Sequence, residues 1–100
     1  MTDQEIETEI QKKGLTAKRV TLESINAAIQ DEHYYQPLGT QLTVCFLTME
    51  NGFIVIGESA CVSAENFDAE LGKKIARQYA VDKLWPLMGF HLAYDKGETK

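Results

Sequence analysis

The chain predicts a single α+β domain: N-terminal helices, a central antiparallel β-hairpin, and a long C-terminal helix packed on the sheet. Three observations carry that expectation. Two runs rich in β-branched and aromatic residues, Leu42 to Met49 and Phe53 to Val62, flank Glu50-Asn51-Gly52. Asn-Gly is a strong hairpin signal because both residues tolerate the positive φ that a tight turn needs. Beyond the hairpin, Phe67, Leu71, Ile75 and Tyr79 recur at four-residue spacing, the signature of an amphipathic helix. A length of 100 residues with 44% hydrophobic and 25% charged residues suits one globular domain and no more.

The first element is a short helix from Thr2 to Gly14, with Thr2 and Glu5 in capping-box positions and Gly14 at its end. Its apolar content is only Ile6 and Ile10, too little to anchor it firmly. Residues 1–18 therefore read as a loosely packed helical arm, frayed or ordered only by a partner, residues 19–94 as the domain, and residues 95–100 as a disordered tail.

A second helix begins at Thr21, whose hydroxyl caps it while Val20 and Ile25 form a hydrophobic staple. Leu22, Ile25, Ala28 and Ile29 share one face, and the spacing predicts a helix to about Glu32. Pro37 and Gly39 then break regular structure.

In the hairpin, a two-residue Asn51-Gly52 loop places Cys45 opposite Glu58 and Leu42 opposite Cys61, with the two thiols on opposite faces. A three-residue loop with a glycine bulge is the alternative and shifts the pairing by one. In the first register one face carries Leu42, Val44, Phe46, Phe53 and Val55, and the other Cys45, Leu47, Met49, Ile54 and Ile56. Four such side chains left in water forfeit roughly 6–12 kcal/mol, against a typical domain stability of about 5–15 kcal/mol. Both faces therefore need a cover. Three helices of modest apolar content are not expected to supply both, which predicts a homodimer or higher oligomer.

Gly57 marks a bulge or a close backbone approach. The long helix opens after a cap at Ser63 or Asn66, and Gly72, Ala76 and Ala80 form a small-residue stripe permitting close approach to the sheet. Pro86 is expected to end it near Leu84 or Trp85. The apolar run Leu87 to Tyr94 then folds back over the core as an extended tail or a third strand.

Composition bounds function. Fifteen acidic residues against ten basic ones give a net charge of −5, which disfavours general duplex DNA binding. No uncharged stretch fits a transmembrane helix, and the acidic N-terminus lacks a signal-peptide core, so a cytoplasmic protein is expected. Cys45 and Cys61 match no metal-site spacing and read as small buried hydrophobes. No cofactor motif is present: Gly52, Gly57 and Gly72 are too scattered for a phosphate loop. Ser59 in Gly57-Glu58-Ser59-Ala60-Cys61 lacks the second glycine of a nucleophile elbow, and His33 and His91 are not spaced for a triad. No catalytic residue is expected.

The candidate binding residues are Lys73, Lys74 and Arg77, a cationic stripe in an otherwise acidic chain, together with Tyr34, Tyr35 and Trp85 as stacking surfaces. Glu58 joins them. A charge on the inner side of a hairpin needs a partner, and Arg77 or Lys73 can supply it.

From Leu42 to Leu87 the run of residues resembles a small-protein family of tailed bacteriophages labelled by its gene product forty-nine. The resemblance lies in Asn51-Gly52-Phe53, Gly57-Glu58-Ser59-Ala60-Cys61-Val62, Asn66-Phe67-Asp68, Lys74-Ile75-Ala76-Arg77 and Lys83-Leu84-Trp85-Pro86-Leu87. Arg19-Val20-Thr21 and Ala27-Ala28-Ile29 extend it, so that it covers roughly residues 19 to 92 and implies that residues 1–18 are a variable helical arm. It implies a phage or prophage accessory protein acting inside the infected bacterium, and it supplies no catalytic residues. The expected function is non-enzymatic binding of a host or phage protein, of a host-takeover or anti-defence kind. The alternative is a module that sequesters a nucleotide-like ligand through the Lys/Arg patch.

Overall fold

The computed structural model describes residues 2–14 and 19–96. Helix α1 spans Asp3–Lys12 and α2 spans Leu22–Ala28. Strands β1 (Ile29–Tyr35), β2 (Leu42–Met49) and β3 (Ile54–Ala60) form an antiparallel sheet in the order β1-β2-β3. Helix α3, Ala69–Lys96, crosses one face of that sheet. The α+β architecture with its long C-terminal helix is as the sequence predicts.

Both N-terminal helices open on full capping boxes, Thr2 with Glu5 and Thr21 with Ser24. Helix α1 buries none of its residues and is tied to the domain by Glu7, which pairs with Arg19 at 2.5 Å. Helix α2 plants Ile25 fully in the core, with Val20 packed against it. It ends earlier than its apolar spacing predicts. At Ile29 the backbone becomes extended (φ −81°, ψ 118°), and Gln30, Asp31 and Glu32 continue as an edge strand rather than a further helical turn. The third strand thus comes from this segment and not from the C-terminal tail.

The hairpin takes the shifted register. Met49 and Gly52 close a turn (Gly52 N–H to Met49 O, 2.9 Å), Gly52 adopts φ 87°, and Met49 N–H bonds to Phe53 O at 2.8 Å. This is a three-residue loop with a glycine bulge. Cys45 accordingly stands opposite Gly57 rather than Glu58, and Leu42 opposite Ala60 rather than Cys61. The one-residue shift exchanges the faces of β3: Cys45, Leu47 and Met49 now share a side with Val55, and Val44 and Phe46 share the other with Ile54 and Ile56. Both cysteines are free.

The inner face is the core. Thr43, Cys45, Leu47, Met49 and Val55 are buried under Ala76, Ala80, Val81 and Leu84 of α3. The small-residue stripe is what makes this possible. A Cβ on Gly57 would overlap the carbonyl oxygen of Ala76 and the nitrogen of Ala80, so helix and sheet backbones meet there with no side chain between them. The bulkier stripe is used less: Ile75 and Phe67 are half-buried, while Leu71 and Tyr79 face solvent.

Helix α3 departs from expectation at both ends. A 3-10 turn occupies Ala64–Asn66, and Asp68, not Ser63 or Asn66, caps the helix by accepting from the N–H groups of Glu70 and Leu71. Pro86 lies inside the helix, which runs on to Lys96. Proline removes one backbone donor and crowds the carbonyl four residues earlier. Here Asp82 and Pro86 are both on the exposed side, where solvent can take the freed carbonyl. Asp95 and Lys96, expected in the tail, close this helix; residues 97–100, like 15–18 of the arm, lie outside the described residues. At 28 residues α3 is about 42 Å long, which explains the 48 × 31 × 21 Å extents and a radius of gyration of 16.2 Å, against about 13 Å for a compact 100-residue domain.

Two glycines in the chain should respond to alanine with opposite sign. Gly57→Ala forces the helix off the sheet and should destabilise by at least about 2 kcal/mol. At Gly89 in α3 an added Cβ meets open space, and Gly89→Ala should stabilise by about 0.5–1 kcal/mol. Urea unfolding of both variants checks the pair.

Candidate functional site

Three of the sequence-predicted residues, Tyr34, Lys73 and Arg77, gather where side chains of β1 meet α3, and the remainder scatter. Along β1, Glu32 and Tyr34 point toward α3. Glu32 accepts the Tyr34 hydroxyl at 2.7 Å and the Arg77 Nε at 3.1 Å, and Arg77 also donates to the Asn26 side chain at 3.1 Å. Lys73 lies 5.9 Å from the Tyr34 ring centre and 4.0 Å from Glu70. Lys74, the next residue of the stripe, is exposed. The carboxylate that meets Arg77 is therefore Glu32. Glu58 lies on the outer face of the sheet, exposed and in register with Val44, and its expected pairing with Arg77 or Lys73 is not made.

Tyr35 follows Tyr34 on the strand and so points to the opposite face, in the same row as Val44 and Glu58. Trp85 is distant from both, half-buried beside α1 in a cleft lined by Ile6, Ile10 and Val20, with its indole N–H unpartnered. The seven residues do not converge on one site.

Two ionisable groups of this region, Tyr34 and Cys45, are shifted from their ordinary values. Burial, reinforced by the hydrogen bond to Glu32, pushes the Tyr34 phenol well above its ordinary 10.0. Burial also raises the Cys45 thiol, which keeps it protonated. Cys61 donates its S–H to the Ser63 carbonyl. Among the described residues no group of three or more His, Cys, Asp or Glu side chains is placed to hold a metal ion, and no helix is long and apolar enough to cross a membrane.

The surfaces that stand out are apolar. At the hairpin tip, Met49 and Phe53 face Leu84, Leu87, Met88 and His91 across a groove of about 340 Å³. Next to it, Leu87, Phe90 and Tyr94 form a ridge on α3, exposed by 47%, 65% and 67%, with the Phe90 and Tyr94 rings 6.1 Å apart. Sequence reasoning missed this ridge. Its signal was the helical spacing of Leu87, Phe90, His91 and Tyr94, concealed by the expectation that Pro86 stops the helix.

Fold and surface define a small α+β protein with exposed apolar surfaces and a hydrogen-bonded ionic cluster along one edge. Residues 20–95 match the model of the phage protein family described by N4 Gp49 and phage Sf6 gene 66, and the chain belongs to that family. No curated protein and no solved structure matches it.

Tyr34 gives a pH signature. Above pH 10 the unfolded chain loses a phenolic proton that the folded chain keeps, so this residue's contribution is complete below pH 10 and fades as the pH climbs further. Tyr34→Phe should flatten the alkaline decline in stability relative to the unsubstituted protein. Denaturant midpoints measured across that range check this, and parallel declines would contradict it.

Proposed function

We infer that this phage protein acts without catalysis, by binding a host or phage protein inside the infected cell, in the manner of a host-takeover or anti-defence factor. One observation supports this most: the uncovered ridge of Leu87, Phe90 and Tyr94 on the projecting end of α3. Residues at i, i+3 and i+7 are the anchors with which an amphipathic helix enters an apolar groove on a partner. Aromatic residues are also the side chains that dominate binding energy at protein interfaces.

The nucleotide alternative is less well served by the geometry. Arg77 is already engaged by Glu32 and Asn26, so a phosphate there must displace a carboxylate. Tyr35 and Trp85, the intended stacking partners, lie on other surfaces.

The test is paired capture from infected-cell lysate. The unsubstituted chain should return a reproducible partner, and Phe90→Asp combined with Tyr94→Asp should lose it at least tenfold while melting at nearly the same temperature, because both side chains are exposed. Equal recovery by the variant, or a bait that returns only itself, contradicts the reading.

A further inference from the structure

We propose that the outer face of the sheet is the interface between two copies of this chain. The face opposite α3 is a grid of three rows. Asp31, Thr48 and Ile54 form the first, His33, Phe46 and Ile56 the second, and Tyr35, Val44 and Glu58 the third. Among the described residues no element packs on it: Ile54, Ile56 and Tyr35 are exposed by 51%, 42% and 59%. Val44 and Phe46 on the central strand and Ile54 and Ile56 on the β3 edge form a continuous uncharged patch, and the ionisable side chains stand on the β1 edge in Asp31 and His33 and at the far end of β3 in Glu58. An apolar patch with its ionisable groups at the periphery suits an interface between two copies.

The exposed area points the same way. The chain exposes 7172 Å², about 1,500 Å² more than the roughly 5,700 Å² expected for a folded monomer of its mass. The arm α1 and the projecting end of α3 account for part of that excess.

The occupant is identified by the arrangement of the rows. A two-fold axis parallel to the strands and passing over β2 lays β1 of one copy on β3 of the other. Phe46 and Val44 then meet their own counterparts on the axis. Tyr35 of each copy faces Glu58 of the other, because both occupy the row of Val44. A phenol hydroxyl donates and a carboxylate accepts, so the same pair forms twice, once at each end of the Val44 row. Two such sheets stack about 10 Å apart with strands near −30°, as in a β-sandwich. A face apolar from the moment of folding also needs a cover that is always present, and a second copy is synthesised alongside the first.

Sedimentation of the full chain under reducing conditions tests this. The expected species has twice the 11.2 kDa chain mass and persists as salt is raised. Ile56→Lys should sediment as a single chain with unchanged far-UV circular dichroism, and Phe90→Asp should remain a dimer. Should Ile56→Lys lose its folded signal, Tyr35→Ser at the exposed margin carries the same test, with dissociation at least tenfold easier. A single-chain mass for the unsubstituted protein, a dimer untouched by the sheet substitutions, or one abolished by Phe90→Asp overturns the proposal. The capture experiment on the α3 ridge reads out separately, so either result can fail without the other.

Discussion

Backbone meets backbone where α3 crosses the sheet at Gly57, and the remaining architecture follows from that contact. Because the Ala76 carbonyl and the Ala80 nitrogen occupy the space a side chain would need, the helix settles low on β2 and β3. From there Val81 and Leu84 reach the same buried layer as Cys45, Leu47 and Val55. Gly72 repeats the arrangement one turn earlier, where a Cβ would press on the Thr43 side chain. Thr43 is itself fully buried, and its hydroxyl is satisfied by Gln36 at 2.9 Å. Close packing of this kind gains dispersion contacts with few voids and leaves little tolerance for added volume.

The low seat of the helix divides labour between the two faces of the sheet. All the covering elements in the described chain serve one face: α3 across its length and α2 through Ile25. The other face, equally apolar at its centre, is left without intramolecular cover among the described residues. The same holds for the end of α3, which outruns the sheet and carries Phe90 and Tyr94 into solvent. Contiguous exposed apolar patches on soluble proteins are characteristic of interaction sites. In a member of a phage protein family without a convergent cluster of catalytic side chains among its described residues, such surfaces are the natural place to look for function.

How much of this is legible in the sequence depends on how local its cause is. The first two caps, the hairpin turn and the small-residue stripe are dictated by neighbouring residues, and Thr2, Thr21, Gly52 and Ala76-Ala80 act as their chemistry predicts, although Asn51 does not adopt the positive φ it tolerates. The register is not decidable locally. Two-residue and three-residue loops both accept Asn-Gly, and only the packing of β3 against α3 selects the face that puts Gly57 inward. Ile29 to Tyr35 carries charged residues on a strand edge, yet its start reads as helix because Ile25 and Ile29 keep helical spacing. Pro86 misleads for a related reason: a proline penalty taken on the solvent side does not end a helix whose other side is already docked. The candidate site suffers most, since whether Tyr34 and Tyr35 share a surface turns on strand parity.

The contact at Gly57 can be observed directly in solution. In a nuclear Overhauser experiment on the full chain, the Gly57 Hα protons should show strong cross-peaks to Ala76 and Ala80 and none to Leu71 or Tyr79. Cross-peaks from Gly57 to Leu71 or Tyr79 instead, or an absence of any to α3, would place the bulky stripe on the sheet and contradict the account.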